Sequence, residues 1–294
     1  MNKCLVTKLS GVVSNNKLAK IGELAFPLDE NIASIGYGSK TDATLRIADG
    51  TFEDGSNSKF VNLSEFKTDL NFSSKKDAVL FIPNKDSVTI FTVVGNGEYN
   101  SEFNIEELKY MKSLKYLSLL GNKSAYGDIS TISDSLISAQ FSDTSVSGDI
   151  GKMSARVFDL RFDNTFVKGD ITSVLVKTSY FSAKGVTSLY GDLSKVATEE
   201  IPNSEIPFCS TVGNYTWSDR PASAMIVALE GPNLGNNVDK MLQDQANCKV
   251  PKNLSTSDIQ WYKVINAKGT RTSASDVAVA TLQQKGYTVL VTPA

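Results

Sequence analysis

Four aspartates recur at a regular interval in the middle of the chain, and carboxylates in such a series have two chemical uses. Asp128, Asp149, Asp170 and Asp192 each follow a glycine and precede an isoleucine or leucine. If their segments stack as neighbouring strands, the carboxylates form a row with a spacing of roughly 5 Å, which suits hard cations such as Ca²⁺. Alternatively, each aspartate accepts a hydrogen bond from a backbone N–H of its own turn. We expect turn capping and no bound metal, with calcium as the alternative.

Other side-chain chemistry is sparse. The sequence has no histidine, so Ser-His and Cys-His nucleophile pairs and most zinc sites are excluded. Its cysteines, Cys4, Cys209 and Cys248, are odd in number and far apart, which is unlike a disulfide framework. No glycine-rich stretch carries the lysine and hydroxyl of a phosphate-binding loop. We therefore predict that the protein is not an enzyme and has no cofactor.

The capping aspartates end repeated units of about 21 residues. Before each one lies the pattern apolar-x-x-apolar-x-apolar-x-x-polar, with apolar residues two apart that share one face of a strand. Stacked units of this kind bury a continuous core beneath a parallel sheet, and the pattern resembles the leucine-rich-repeat signature. The pattern positions are Leu114, Leu117, Leu119 and Asn122; Leu136, Ala139, Phe141 and Thr144; Val157, Leu160, Phe162 and Thr165; and Thr178, Phe181, Ala183 and Val186.

The flanking segments differ from the repeats. Residues 1–83 alternate strand-like pieces with Asp-Gly turns, which favours an antiparallel β module. Residues 84–200 contain the solenoid and an entry repeat at Val88, Phe91 and Val93. In 201–294, an irregular stretch (201–220) precedes alternating strands and helices, which we expect to continue the sheet as a cap, with a separate adjacent domain as the alternative. The predicted fold is thus a β-rich α/β leucine-rich-repeat-like solenoid with an N-terminal antiparallel β module and a C-terminal α/β cap.

Solvent-facing strand residues are the candidate binding surface, because repeat proteins use the exposed face of the sheet for recognition. Aromatic and arginine side chains there would act as anchors, while the alternative is a merely solvated face, since two aspartates flank the arginine. Alanine at either strand tyrosine is expected to weaken binding of a partner. A tryptophan in the irregular stretch is a further surface anchor. The candidates are Tyr116, Gln140, Arg161, Tyr180 and Trp217.

Composition predicts neither nucleic-acid binding nor membrane insertion. The formal net charge is −2, and there is no basic stripe with interleaved aromatic residues. No apolar run reaches the length of a transmembrane helix. The first residues, with Lys8 among them, do not resemble a signal peptide. We expect the protein to be made in a cytoplasm and to stay there or be packaged from there.

Two terminal motifs carry a resemblance to a known group. They are residues 4–9 with 18–23, and residues 269–282 with 285–289. Together with the repeats, they resemble leucine-rich-repeat-like proteins of gut Bacteroidales and of the crAss-like bacteriophages that infect them. The resemblance implies a non-enzymatic structural component of a virion, in the head or tail, or an adhesin or fibre. Its partners would be other virion proteins, further copies of itself, or a host-surface protein or glycan; the alternative is a bacterial repeat protein that binds a protein or glycan.

Overall fold

The computed structural model describes the backbone of the strands within residues 24–82 and, beyond them, residues 85–95, 97, 103–153, 157–198, 207–222, 225–249 and 263–294. In these parts the protein is a β-rich α/β fold with few helices. None of the helices described has the length and apolar character needed to cross a membrane. The chain forms two compact units, residues 1–147 and 148–294. The strand predicted near residues 5–13 lies outside the described residues.

Among its described residues the first unit has fourteen strands, the last of which includes residues on both sides of the division at 147/148. A 3-10 helix, Ile105–Tyr110, follows β10, and the Asn104 side chain caps it by accepting from the Glu106 N–H. The strands are β1 Leu24–Leu28, β2 Ile32–Ser39, β3 Ala43–Ala48, β4 Thr51–Phe52, β5 Lys59–Leu63, β6 Thr68–Leu70, β7 Phe72–Ser74, β8 Ala78–Ile82, β9 Val88–Gly95, β10 Phe103–Asn104, β11 Tyr116–Ser118, β12 Ala125–Asp128, β13 Ser138–Gln140 and β14 Ser145–Asp149.

Two kinds of pairing occur in this unit. Strands β1, β8, β3 and β5 form an antiparallel sheet, β4 pairs with β7, and β2 pairs with β6 and β9 in antiparallel register. From β9 onward the pairing is parallel: β9, β11 and β13 lie side by side, and β10, β12 and β14 form a second row. The antiparallel N-terminal strands predicted around β2, β3, β5 and β8 are confirmed.

The second unit continues with nine strands and three α-helices among its described residues. Strands β15, β17, β19, β21, β22 and β23 pair in parallel, and β16, β18 and β20 pair in parallel beside them, with β20 joining β21. The elements are β15 Asp159–Arg161, β16 Phe166–Asp170, α1 Thr172–Leu175, β17 Tyr180–Ala183, β18 Leu189–Asp192, β19 Phe208–Thr211, β20 Asn214–Thr216, β21 Ala228–Gly235, α2 Val238–Asn247, β22 Val264–Gly269, α3 Asp276–Gln284 and β23 Thr288–Thr292.

The repeat pattern marks the core correctly. All of its positions, from Leu114 to Val186, are buried in the unit to which they belong. The isoleucine or leucine after each capping aspartate is also fully buried. In the second unit, Leu160, Phe181 and Cys209 are register partners on neighbouring strands, so the buried side chains stack from one repeat to the next. The predicted parallel sheet over a continuous core is therefore present within each unit.

Two local predictions are wrong. The stretch 201–220 is not irregular throughout, because it contains β19 and β20 and thus one more repeat. The spacing of Ser273 and Asp276 is close to a capping box and predicts that Ser273 caps the last helix. It does not; the Thr272 hydroxyl accepts from the Ala274 N–H and caps a 3-10 turn that leads into α3. The two C-terminal helices themselves are confirmed as α2 and α3.

Candidate protein-binding face and the capping aspartates

The capping aspartates close the turns that follow the second strand of each repeat. In every case Oδ1 accepts a hydrogen bond from the backbone N–H two residues further on, and the turn-capping prediction is confirmed. The donors and N–O distances are Ser130 to Asp128 at 2.9 Å, Gly151 to Asp149 at 3.0 Å, Thr172 to Asp170 at 2.9 Å and Ser194 to Asp192 at 3.0 Å.

The glycine before each aspartate has a positive φ, and at Gly127, Gly169 and Gly191 an added Cβ would also lie too close to a neighbouring atom. Gly169 has φ +110°, a conformation that residues with a Cβ rarely adopt. A Cβ on Gly169 would lie 2.2 Å from Asp149 Oδ1. In the second unit, the carboxylates of Asp149 and Asp170 therefore pack directly against the glycines of the following repeats, Gly169 and Gly191. This close approach explains why the Gly-Asp pair recurs as a unit.

Asp192 holds the most elaborate of these turns. Besides Ser194 N, its carboxylate accepts from Ser218 N at 3.1 Å and from Ser218 Oγ. Burial opposes ionisation of Asp192, but the hydrogen bonds from Ser218 and Ser194 outweigh it and lower the pKa. The ionised carboxylate thus ties the turn after β18 to the segment after β20.

We expect Asp192→Ala to lower the free energy of unfolding by about 1 kcal/mol at neutral pH, because backbone donors lose their cap. A carboxyl whose pKa is lowered by folding stabilises the protein above its unfolded pKa, and that contribution disappears as the pH falls through the folded pKa. The difference from wild type should therefore shrink in acid. Urea unfolding of wild type and variant, at neutral pH and at a pH below the ordinary carboxyl pKa, gives the free-energy difference at each pH. Asp192→Asn keeps an acceptor oxygen but cannot ionise, so its stability difference from wild type should shrink in acid as that of Asp192→Ala does. A difference between Asp192→Ala and wild type that stays constant across this pH range would contradict the expected role of the charge.

Calcium binding by the aspartates can be tested directly. No group of three or more aspartate, glutamate, cysteine or histidine side chains in the described parts of the chain is arranged to hold a metal. Because each Oδ1 is already engaged by its own turn, we expect the same unfolding midpoint in excess Ca²⁺ and in EDTA. Differential scanning calorimetry gives the midpoint, and a rise in Ca²⁺ alone would restore the calcium alternative.

The exposed strand face of the first unit carries an uncharged groove, which we call the first-unit groove. Its volume is about 420 Å³. Tyr116 stands over it with 45% of its surface exposed, and Ser118 Oγ donates to Gln140 Oε1 at 3.4 Å. The groove is lined by Ile90, Thr92, Val94, Tyr116, Leu117, Ser118, Ser138 and Gln140.

The corresponding strand residues in the second unit bond to one another. The Arg161 guanidinium donates to both carboxylate oxygens of Asp159, at 2.8 and 3.2 Å, and lies 4.3 Å above the centre of the Tyr180 ring. Tyr180 in turn stacks on Phe208, with ring centres 4.5 Å apart. Burial raises the pKa of Tyr180, although Arg161 acts in the opposite direction. For Arg161, burial works against the charge, but Asp159 reverses this and raises the pKa.

Further polar contacts extend this network. Asp163 Oδ1 accepts from Ser182 Oγ at 2.6 Å and from Lys184 N at 2.7 Å. Lys184 Nζ also lies 3.9 Å from a carboxylate oxygen of Glu230. Ser182 lies between the core positions Phe181 and Ala183, which predicts that it faces solvent, but it is only 3% exposed and its hydroxyl donates to Asp163. The second-unit face is therefore charged and internally bonded, whereas the first-unit groove is uncharged.

Comparisons of the chain with protein-family models, with curated proteins and with solved structures find no match.

The strand faces of the two units differ in how they hold their tyrosines. Tyr116 presents its ring to solvent, whereas Tyr180 is held between Arg161 and Phe208. Of the predicted anchors, the first unit holds Tyr116 and Gln140 at one groove, and the second unit holds Arg161 and Tyr180 in one stack.

Trp217 is not a surface anchor, so this prediction is wrong. Only 3% of its surface is exposed, and its Nε1 donates to Asp244 Oδ2 at 2.9 Å. Asp244 belongs to α2, which therefore packs over the segment after β20 and removes the indole from solvent. Trp261, the other tryptophan, lies outside the described residues.

Sequence reasoning missed the three β9 residues of the groove, Ile90, Thr92 and Val94. A signal for them was present. The entry repeat assigns Phe91 and Val93 to the core, and both are buried, so the alternate residues of the same strand must face the opposite side. Register then places Ile90 beside Tyr116 and Thr92 beside Ser118.

Cys209 offers no nucleophile. It is fully buried, and burial raises the pKa of its thiol to about 12. At neutral pH the thiol is protonated and shielded from solvent, so it behaves as a small apolar side chain.

A second, polar groove lies at the other strand row of the second unit, and we call it the asparagine groove. Tyr190, 55% exposed, is the register partner of Asn214, whose Oδ1 accepts from Asn233 Nδ2 at 2.7 Å. Asn233 Oδ1 is fixed by the Gly235 N–H at 3.1 Å. The groove has a volume of about 370 Å³ and is lined by Asn214, Tyr215, Thr216, Asn233, Leu234, Gly235, Asn236 and Asn237.

Proposed function

We propose that this chain is a non-enzymatic protein-binding scaffold of the leucine-rich-repeat-like type, with a C-terminal α/β cap, and that it serves as a structural component of a bacteriophage virion. The first-unit groove would receive a partner protein of the particle. The observation that carries the proposal is Tyr116, an aromatic side chain 45% exposed beside an uncharged groove on the solvent face of a parallel sheet.

The chemistry of the groove supports a protein partner. A tyrosine brings a large, rigid contact area at small conformational cost, and tyrosine is enriched among residues that dominate interface energies. None of the described residues that line the groove is charged, so a partner that covers them desolvates no ion there. Arg161 and Tyr180 are weaker anchors, because a partner would compete with contacts that they already make to Asp159 and Phe208.

The placement in a virion is supported by the terminal motifs and the Gly-Asp repeats, through their resemblance to proteins of crAss-like bacteriophages and their hosts. A structural role needs only the surface described above and no catalytic group. The same resemblance supports a head or tail position, or a role as a fibre or adhesin.

Purified particles provide the test of this proposal. The protein should be found in them by mass spectrometry, and Tyr116→Ala should reduce its incorporation by about tenfold, which corresponds to roughly 1.4 kcal/mol of binding free energy. Tyr126→Ala is the matched control, because Tyr126 is also exposed (38%) but lies in the other strand row of the same unit. Absence of the protein from particles would exclude the virion role, and equal effects of the two variants would exclude the groove.

The asparagine groove favours a second candidate, a bacterial repeat protein that binds a glycan. Exposed aromatic rings stack on sugar rings, and fixed amides such as those of Asn214 and Asn233 bond to hydroxyl groups. Calorimetric titration with cello-, malto- and chito-oligosaccharides tests it. Binding that is lost in Tyr190→Ala but kept in Tyr116→Ala would support the glycan candidate, and no heat with any of the sugars would remove it.

A further inference from the structure

Strand β23 forms an edge of the parallel sheet in the second unit. Among the residues that the structure describes, it pairs with β22 and with no strand on its other side. Proteins usually protect such an edge with charges, prolines or bulges, because its unpaired N–H and C=O groups can bind another strand. The sequence of β23 is Thr-Val-Leu-Val-Thr, which contains none of these devices.

The side chains of β23 are also incompletely covered. Leu290 is 50% exposed, and Val289 and Val291 are half-buried. The two valines are register partners of Ile265 and Ala267, which are fully buried on β22. Val289 and Val291 therefore extend the core face of the sheet beyond the last covered strand, while Leu290 lies on the opposite face.

The register fixes which backbone groups are available. Thr288 N donates to Lys263 O at 2.9 Å. Because successive residues of a strand direct their N–H and C=O groups to opposite sides, Thr288, Leu290 and Thr292 bond towards β22. Val289 and Val291 direct theirs away from it. The edge thus presents the donors and acceptors of two residues that flank Leu290 symmetrically.

The sequence of β23 reads the same in both directions about Leu290. We propose that β23 pairs antiparallel with the β23 strand of a second copy of this chain, about a twofold axis at Leu290. The axis places Leu290 opposite Leu290 of the second copy and Val289 opposite Val291. The contact is isologous, as expected of a twofold dimer. This interaction goes beyond the proposed function and uses neither of the two grooves.

The hydrogen-bond pattern agrees with this axis. In an antiparallel ladder, opposed residues alternate between pairs that exchange both hydrogen bonds and pairs that exchange none. The valines point their backbone groups outward, so each Val289–Val291 pair exchanges both bonds. The central leucine pair exchanges none, which is the arrangement with the closest side chains. If the pairing were shifted by one residue, the outward N–H and C=O groups of one copy would face residues of the other copy whose groups already bond to β22.

A second copy fits this edge better than an unrelated strand. The central leucine of one copy meets an equal apolar side chain, the valines cover valines of the same core face, and no charge on either strand opposes the contact. All of these matches follow from the symmetry of one short sequence. A strand of another protein would have to reproduce them independently.

Charge exchange at Leu290 tests the proposal on the full-length protein by sedimentation equilibrium. Wild type should be a dimer. Leu290→Lys alone and Leu290→Glu alone should each weaken self-association by at least about tenfold, because like charges then face each other across the axis. An equimolar mixture of the two variants should restore the dimer, a rescue that a folding defect would not give.

Two further variants define the surface. Val291→Pro removes an outward N–H while leaving the bonds to β22, and should also give a monomer. Val277→Lys is the control, since Val277 is 81% exposed in the same unit but belongs to α3 and not to β23, and it should leave the dimer intact. A monomeric wild type, dimers of both single-charge variants, or failure of the mixture to associate would each overturn the proposal.

Discussion

Replacing Phe181 by alanine should lower the free energy of unfolding by about 3–5 kcal/mol. The ring is fully buried at the centre of β17, between Leu160 on β15 and Cys209 on β19. Because each repeat is stabilised mainly by its neighbours, the cavity would loosen the packing on both sides of the strand. A loss of this size is a large fraction of the 5–15 kcal/mol typical of folded domains.

Phe166→Ala is the matched control for this variant. It removes the same side chain from the same unit, but Phe166 lies on β16 with 70% of its surface exposed. Its effect should stay within about 0.5 kcal/mol of wild type. Urea unfolding followed by circular dichroism compares the two variants. Equal losses would mean that Phe181 does not lie in the core and that the inward face of the repeat strands is wrongly assigned.

The sequence predicted the core and the turns well, because both depend on short-range spacing. Leu160 and Phe162 lie two apart, so they share a strand face, and both are buried. Asp149 and Gly151 are likewise close enough in sequence for the capping bond to follow from local geometry alone. The second strand of each repeat, such as β16, was less visible, because its polar and glycine residues hide the alternation typical of a strand.

The added repeat in 201–220 escaped detection for a tertiary reason. All four residues of β19 are buried, and Thr211, the register partner of Ala183, puts a polar residue where the pattern expects an apolar one. The buried hydroxyls have partners: Thr211 Oγ1 bonds to the Tyr215 hydroxyl four residues on, and Ser210 Oγ donates to Glu230 Oε2, 20 residues away, at 3.4 Å. Gln245 of α2 similarly bonds to both the N–H and the C=O of Ile226.

The binding candidates show the same limit. Side chains alternate between the two faces of a strand, and this alternation predicted that Tyr116, Arg161 and Tyr180 lie on the face opposite the core. It could not predict which of the two tyrosine rings would remain exposed. That depends on Phe208, which stacks on Tyr180 from a strand that the sequence did not predict. Trp217 was misplaced because its partner Asp244 lies 27 residues away, on a helix whose packing has no local signal.

Gly269→Ala should be the most damaging small substitution in the C-terminal part of the sheet, with a loss on the order of 3 kcal/mol or more. Gly269 has φ +145°, which is strained for any residue with a Cβ. An added Cβ would also lie 2.3 Å from Gly235 O and 2.7 Å from Val238 Cγ2. Neither the β21 carbonyl nor the first residue of α2 can move without disturbing the strand or helix to which it belongs.

Gly235, the register partner of Gly269, allows the effect of backbone strain to be separated from that of the close contact. Gly235 faces Gly269 in register and has φ +51°, but a Cβ there would meet no atom within 4 Å. Gly235→Ala should therefore cost only the left-handed backbone strain, about 1–2 kcal/mol. Thermal and urea unfolding of the two variants give the comparison. If both lose the same stability, the close approach of β22 to the β21 backbone does not exist, and the strand register that places β22 and β23 at the end of the sheet would have to be revised.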